Sequence, residues 1–253
     1  MTVAMPILCA CGHETCILPT AVLSTHTGGF GKPVVQHLSV DGMWKHWQDQ
    51  GIVFDAILVG YLGSVSAIEM VTEILDTMLA PGGIAIVDPA MADHGKLYSG
   101  FDAAYAGAMQ ALCEKADIML PNITEAAMMA GMEFRERFDA QYIRELLHKL
   151  GGRDVILTGV GFSEDQTGAA VRKDGEITFH HHERLERSFH GTGDMFAACF
   201  TGCLMQGKSM GEAVEVASEF VCRSIRATIE NPAHWYGVKF ETALPWLMEK
   251  LFG

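Results

Sequence analysis

Basic residues are scarce in this sequence. Its 253 residues carry 18 Lys and Arg against 31 Asp and Glu, a formal net charge of −13. A chain so short of cations lacks the electrostatic footprint that polyanions require, so neither nucleic acid nor an anionic membrane is expected as a partner. No apolar run is long and uninterrupted enough to span a bilayer, and no secretory apolar segment opens the sequence. Zinc-type cysteine spacing is missing as well. The seven cysteines are odd in number, and Cys9, Cys11 and Cys16 show no C-x-x-C pattern with a matching second pair. That usage predicts reduced thiols and a cytoplasmic protein. Cys199 and Cys203 fall one helical turn apart and read as core residues. There is no internal repeat, low-complexity tract or linker, so residues 1–253 are expected to form a single domain.

What is present is ample apolar substance, 49% of the residues, enough for a sizeable core. It is arranged as short apolar runs alternating with helical patterns. The runs at 54–59, 84–87, 118–120 and 155–157 read as buried parallel strands. A strand-like stretch also covers 16–24. Helical patterns cover 1–11, 37–50, 65–79, 102–114, 123–132 and 140–150, with Pro81-Gly82-Gly83 ending the third. A hairpin at 167–172 and 176–182 turns at Asp174-Gly175, and three helices close the chain. Such alternation predicts an α/β fold, a mostly parallel sheet covered by helices on both faces. In open sheets of this kind ligands bind beyond the carboxyl ends of the strands. Tyr61, Asp88, Asn122, Glu125 and Thr158 all fall at that edge.

The stretch from His190 to Phe196, HGTGDMF, reads as a glycine turn that opens a helix. Successive N–H groups there form an anion cradle, and an acid in the first turn suits the helix dipole. Asp194 is therefore either a plain helix-start acid or a general base beside a bound phosphate. Asn122 and Glu125 have capping-box spacing. Of the run His180-His181-His182, only His180 and His182 share a face of a strand, and no carboxylate or cysteine nearby in sequence completes a metal site.

HGTGDMFAACF resembles the GTGD signature of the ribokinase superfamily. LSTHTGGFG (23–31), DPAMADHGKLY (88–98) and PNITEA (121–126) resemble, in order and spacing, segments of its pyridoxal kinase branch. The resemblance implies a ribokinase-like three-layer α/β/α fold. It implies ATP-dependent phosphorylation of the 5′-hydroxymethyl group of pyridoxal, pyridoxine or pyridoxamine, the B6 vitamers of vitamin salvage. In that scheme Gly191, Thr192 and Gly193 form the anion hole and Asp194 is the general base. Asn122, Glu125, Thr158 and Asp93 serve ATP and its phosphates, and Asp88 and Glu125 serve Mg²⁺. His26, Thr27, Tyr61 and Tyr98 contact the substrate. Ala92 stands where glycine is usual in DPVMGD, which bears on the backbone before Asp93. A K⁺ ion and a homodimer are further family expectations. Two other readings stand beside this one: a hydroxymethylpyrimidine kinase of the same superfamily, and a catalytically silent small-molecule-binding protein on this fold. In pyridoxal kinases a strand and a glycine-containing turn precede the helix read at 1–11, so the resemblance implies either a start about 20 residues upstream, the favoured reading, or a protein that works with a shortened sheet and a looser pocket.

Overall fold

The structure is a computed structural model and describes residues 2–25, 33–185, 189–231, 233–234 and 236–253. In chain order the elements are α1 (Ala4–Ala10), β1 (Ala21–Leu23), β2 (Val35–His37), α2 (Asp41–Asp49), β3 (Phe54–Val59), α3 (Val65–Met78) and β4 (Leu79–Val87). There follow β5 (Ala92–Asp93), β6 (Lys96–Leu97), α4 (Ala103–Cys113), β7 (Ile118–Met119), α5 (Ile123–Met129), α6 (Ala140–Lys149) and β8 (Asp154–Thr158). The hairpin β9 (Gln166–Lys173) and β10 (Glu176–Glu183) leads to α7 (Thr192–Met205), α8 (Met210–Ile229) and α9 (Leu244–Phe252). The main sheet has the order β10-β9-β8-β7-β4-β3. Its β3, β4, β7 and β8 are parallel, and β9 runs antiparallel to β8. The expected α/β alternation is thus observed.

The chain forms two compact units. One comprises Met1–Ile17, Ser163–Gly168 and His180–Gly253; the other comprises Leu18–Phe162 and Ala169–Phe179. In the second, Val59, Ala85, Val87, Met119, Val155 and Leu157 of the parallel strands are buried. They belong to one core with Ile68, Val71 and Leu75 of α3, Met109 and Leu112 of α4, and Ile143, Leu146 and Leu147 of α6. Burial of such aliphatic side chains, at roughly 1.5–3 kcal/mol each, outweighs their modest helix or strand propensities.

Two local expectations change. Pro81-Gly82-Gly83 does not separate a helix from a strand beginning at Ile84. The helix ends at Met78 and β4 starts at Leu79, running through those residues. The accommodation is an irregularity in register, with Phe54 opposite Leu79 but Ala56 opposite Ile84. Proline and glycine tolerate that bulge at the strand's start, where the ladder is interrupted anyway. His37, read as the start of a helix over 37–50, instead ends β2 against β1, and the helix begins at Asp41. A three-residue strand is too short to carry a period.

In the first unit, α7 packs on α8 and α1 packs on α7. Phe200 and Phe220 are fully buried. The hydroxyls of Ser224 and Thr228, also buried, donate to the carbonyls of Phe220 and Ser224 at 2.8 and 2.7 Å, so neither polar group is orphaned. Gly202 sets how closely α1 and α7 approach. A Cβ there would stand 2.5 Å from Cys11 Sγ and 2.7 Å from Cys11 Cβ. Gly202→Ala gains about 1 kcal/mol of helix propensity but forces the helices apart, an overpacking cost of roughly 1–3 kcal/mol. We expect a net loss of stability, read as a lower urea midpoint at unchanged m-value; a midpoint at or above wild type would show that α1 yields without cost.

Candidate active site

Residues singled out from the sequence fall in both units. In the second unit the parallel strands end together. Tyr61 follows β3, Asp88 follows β4, Asn122 and Glu125 follow β7, and Thr158 closes β8. The Thr158 N–H and hydroxyl both donate to the Pro121 carbonyl, at 2.9 and 3.3 Å, tying the ends of β8 and β7 together.

Asn122 and Glu125 form the capping box of α5. They also do more. The Glu125 side chain is buried, its residue only 1% exposed. Oε2 accepts from the Asn122 N–H at 2.9 Å, while Oε1 accepts from the Met91 and Ala92 N–H groups at 2.9 and 3.3 Å. Asn122 Nδ2 donates to the Ala92 carbonyl at 2.7 Å, and the Thr124 hydroxyl accepts from the Gly95 N–H at 3.1 Å. The start of α5 is therefore a clamp on the segment between Asp88 and Lys96. Burial pushes the Glu125 carboxyl up to about 7; the Asp93 charge adds to the rise and the three N–H bonds oppose it.

Within the clamped segment Asp88 is half-buried and its Oδ1 accepts from the Ala90 N–H at 3.2 Å. Asp93 is exposed, accepting from the His94 N–H at 2.8 Å. Ala90 and His94 have positive φ, 39° and 49°, and Ala92 does not. Position 92 lies in β5, so alanine in place of the family's glycine meets no backbone strain there. Tyr61 stacks on Phe101, and Tyr98 tilts against the same ring.

In the first unit α7 starts differently from its neighbours in sequence. Helices α3, α4, α5, α6 and α8 each begin on a Ser, Asp or Asn side chain that accepts a first-turn N–H. Helix α7 begins on Gly191, at φ 84°, with no side-chain cap. Glycine reaches that left-handed conformation at no steric cost. The first-turn N–H groups have no intrahelical acceptor and, among the described residues, no side-chain cap, as is also the case at α1, α2 and α9. Asp194 lies in that turn. It is exposed, yet desolvation by surrounding protein raises its carboxyl above the usual range. The two facts agree if one side of the carboxylate meets water while protein on the other sides displaces the bulk dielectric.

His26 and Thr27 lie outside the described residues. On β10, His180 Nδ1 lies 3.4 Å from Glu215 Oε1, and His182 Nδ1 lies 3.4 Å from Cys222 Sγ. The sequence reading had found neither partner, because both come from α8. They make two separate pairs; among the described residues no three His, Cys, Asp or Glu side chains are placed to hold a metal ion. Sequence reasoning also missed Thr124 and the ring contacts of Phe101. Thr124 sits inside the N-x-x-E motif it had singled out, and Phe101 is four residues before Tyr105 at a helix start, a spacing that brings rings together.

This α/β arrangement is shared with known proteins. The pyridoxal kinase of Lactobacillus plantarum, in its crystal structure, is 32% identical and superposes with a TM-score of 0.88 over 98% of this chain and 90% of its own. The fold is accordingly the ribokinase-like three-layer α/β architecture. Residues 30–238 match the phosphomethylpyrimidine kinase family, and the chain belongs to it. The hydroxymethylpyrimidine/phosphomethylpyrimidine kinase of Bacillus subtilis (strain 168) is 30% identical over 177 residues, 69% of this chain. The pyridoxine kinase of the same organism is 29% identical over 187 residues, 70% of this chain. Each alignment covers 65% of the relative, so the chain spans just under two thirds of the length of these curated relatives.

The clamp generates a stability prediction. Glu125→Gln places an N–H₂ where an acceptor is needed, leaving at least one buried backbone N–H unpaired at a cost of roughly 1–3 kcal/mol. The pH dependence has a defined sign. The folded-state pKa of about 7 exceeds the reference value of 4.5, so between them the folded chain keeps a proton that the unfolded chain has lost. This contribution to stability is fully present below about pH 4.5 and is lost as pH rises through about 7. Denaturation midpoints measured across that window should fall with pH in wild type, and the part due to Glu125 should vanish in Glu125→Gln. Parallel profiles for the two proteins would refute the assignment.

Proposed function

We propose that this protein transfers the γ-phosphoryl group of ATP to the 5′-hydroxymethyl group of pyridoxal, pyridoxine or pyridoxamine. The observation that carries the reading is the start of α7, a glycine-capped helix with open first-turn N–H groups and an acid of raised pKa. As the substrate hydroxyl oxygen bonds to the γ-phosphorus, the bond to the β–γ bridging oxygen breaks and ADP leaves. The hydroxyl proton passes to Asp194. The N–H groups after Gly191 hydrogen-bond to the transferring phosphoryl oxygens as charge builds on them. With so few cations in the chain, backbone dipoles carry much of that neutralisation.

The donor chemistry of the second unit fits Mg²⁺. Asp88 and Asp93 offer carboxylate oxygens at one loop without forming a three-ligand cage, as suits an ion that keeps its waters and takes further ligands from phosphates. When bound, Mg²⁺ supplies charge neutralisation on the triphosphate. Glu125, with both oxygens engaged, acts by holding the loop that carries those aspartates; Asn122 and Thr158 brace it from the neighbouring strand ends. Tyr61 and Tyr98 face the pyridine ring in this reading. Vitamin B6 salvage in the cytoplasm, by a homodimer, goes with it.

A second reading has equal support from relatives: the acceptor is hydroxymethylpyrimidine, a ring-CH₂OH of the same reach. An ADP-release screen over the three vitamers and hydroxymethylpyrimidine decides between them, and ligand binding with no ADP from any alcohol would leave a silent binding protein. On the accepted alcohol, Asp194→Asn should keep nucleotide affinity and lose about 10²–10⁴-fold in kcat. A variant within a few-fold of wild type at saturating substrate would remove Asp194 from proton transfer.

A further inference from the structure

Tyr61 is not held by the backbone alone. Its ring stacks on Phe101 with centroids 5.6 Å apart and planes 29° from parallel. Phe101 lies flat on Tyr105, at 3.7 Å and 5°. Tyr105 belongs to α4 and is only 3% exposed, so the stack is founded in the core. Its hydroxyl is sealed from solvent with no hydrogen-bond partner among the described residues, and burial pushes it above the usual tyrosine range, opposed only in part by the nearby Gly63 and Leu62 N–H groups. The tyrosine thus contributes its ring, and the loop after β3 rests above it.

The other side of Tyr61 is bounded at position 63. A Cβ on Gly63 would stand 3.2 Å from Tyr61 Cε1 and 3.3 Å from His37 Cε1. Because glycine carries none, the phenol and the imidazole converge above the Gly63 backbone as one surface. His37, at the end of β2, is exposed, and among the described residues no hydrogen bond or ion pair engages its ring. A neutral imidazole has one donor and one acceptor nitrogen, which suits the polar rim of a flat heterocycle.

We infer that Phe101 is a positioning residue that sets the plane of Tyr61, and that Tyr61 and His37, converging over Gly63, form the surface that recognises the ring of the acceptor alcohol. This rests on the reading of the substrate as a heteroaromatic alcohol. The ring of Phe101 faces those of Tyr61, Tyr98 and Tyr105 and packs against the core beneath them. Its influence is therefore on binding of the acceptor and not on the nucleotide or on proton transfer. His37 acts at the ring's edge, where substituents differ between candidate substrates.

The test uses the full chain with ATP and whichever ring alcohol it turns over. Phe101→Leu keeps apolar bulk but removes the stacked plane. It should raise the acceptor KM roughly three- to tenfold, the range expected for one aromatic pair. The ATP KM and kcat should stay within about twofold, and Phe101→Tyr should restore the acceptor KM. His37→Ala, at an exposed position that folding does not depend on, should raise the acceptor KM as well and carries the test if Phe101→Leu does not fold. Unchanged acceptor KM in the folded variants overturns the inference and leaves the kinase reading standing. A rise in ATP KM or a fall in kcat equal to the acceptor effect also overturns it, since that is general damage. A wild-type chain that turns over no ring alcohol overturns both.

Discussion

The arrangement of the second unit depends on one buried carboxylate. Among the described residues no cation pairs with Glu125; its oxygens are met by backbone N–H groups of Met91, Ala92 and Asn122. Each of those donors would be costly to bury unpaired, and the carboxylate is costly to bury unsolvated. The two costs cancel only when the loop and the helix start are docked together. The clamp also explains why strained backbone persists at Ala90 and His94. A positive φ at a residue with a Cβ costs on the order of 1–2 kcal/mol and survives where surrounding bonds over-determine the chain. Asp88 and Asp93 owe their presentation to this docking.

A second constraint is the scarcity of cations. A protein with net charge −13 has few lysines and arginines to gather into an anion-binding cluster. Five helices here hold their first-turn N–H groups with Ser, Asp or Asn side chains, whereas α7, like α1, α2 and α9, shows no such cap. Leaving donors unused at a helix start forgoes a stabilisation of about 1 kcal/mol, which is reasonable where an anion is to be bound.

Substrate choice lies at a finer scale than the fold. Relatives named for pyridoxine and for hydroxymethylpyrimidine match this chain at 29% and 30% identity. A pyridine and a pyrimidine bearing the same CH₂OH differ at the ring edge, where single contacts are worth roughly 1–3 kcal/mol.

What the amino-acid order determined by itself is local. The apolar runs that became β3, β7 and β8, the Asn122–Glu125 cap and the glycine turn before Asp194 were legible because periodicity and capping operate within a few residues. The same locality misled at Pro81-Gly82-Gly83, where a turn signal was absorbed into β4, and at His37, read into a helix but ending a strand too short to show a pattern. Tertiary structure alone decided where Glu125 spends its oxygens, since Met91 is 34 positions away. It alone stacked Tyr61 on Phe101, and set Glu215 and Cys222 beside His180 and His182. Such pairings arise when separate elements dock, and their energy comes from burying groups whose sequence separation carries no signal of their eventual contact.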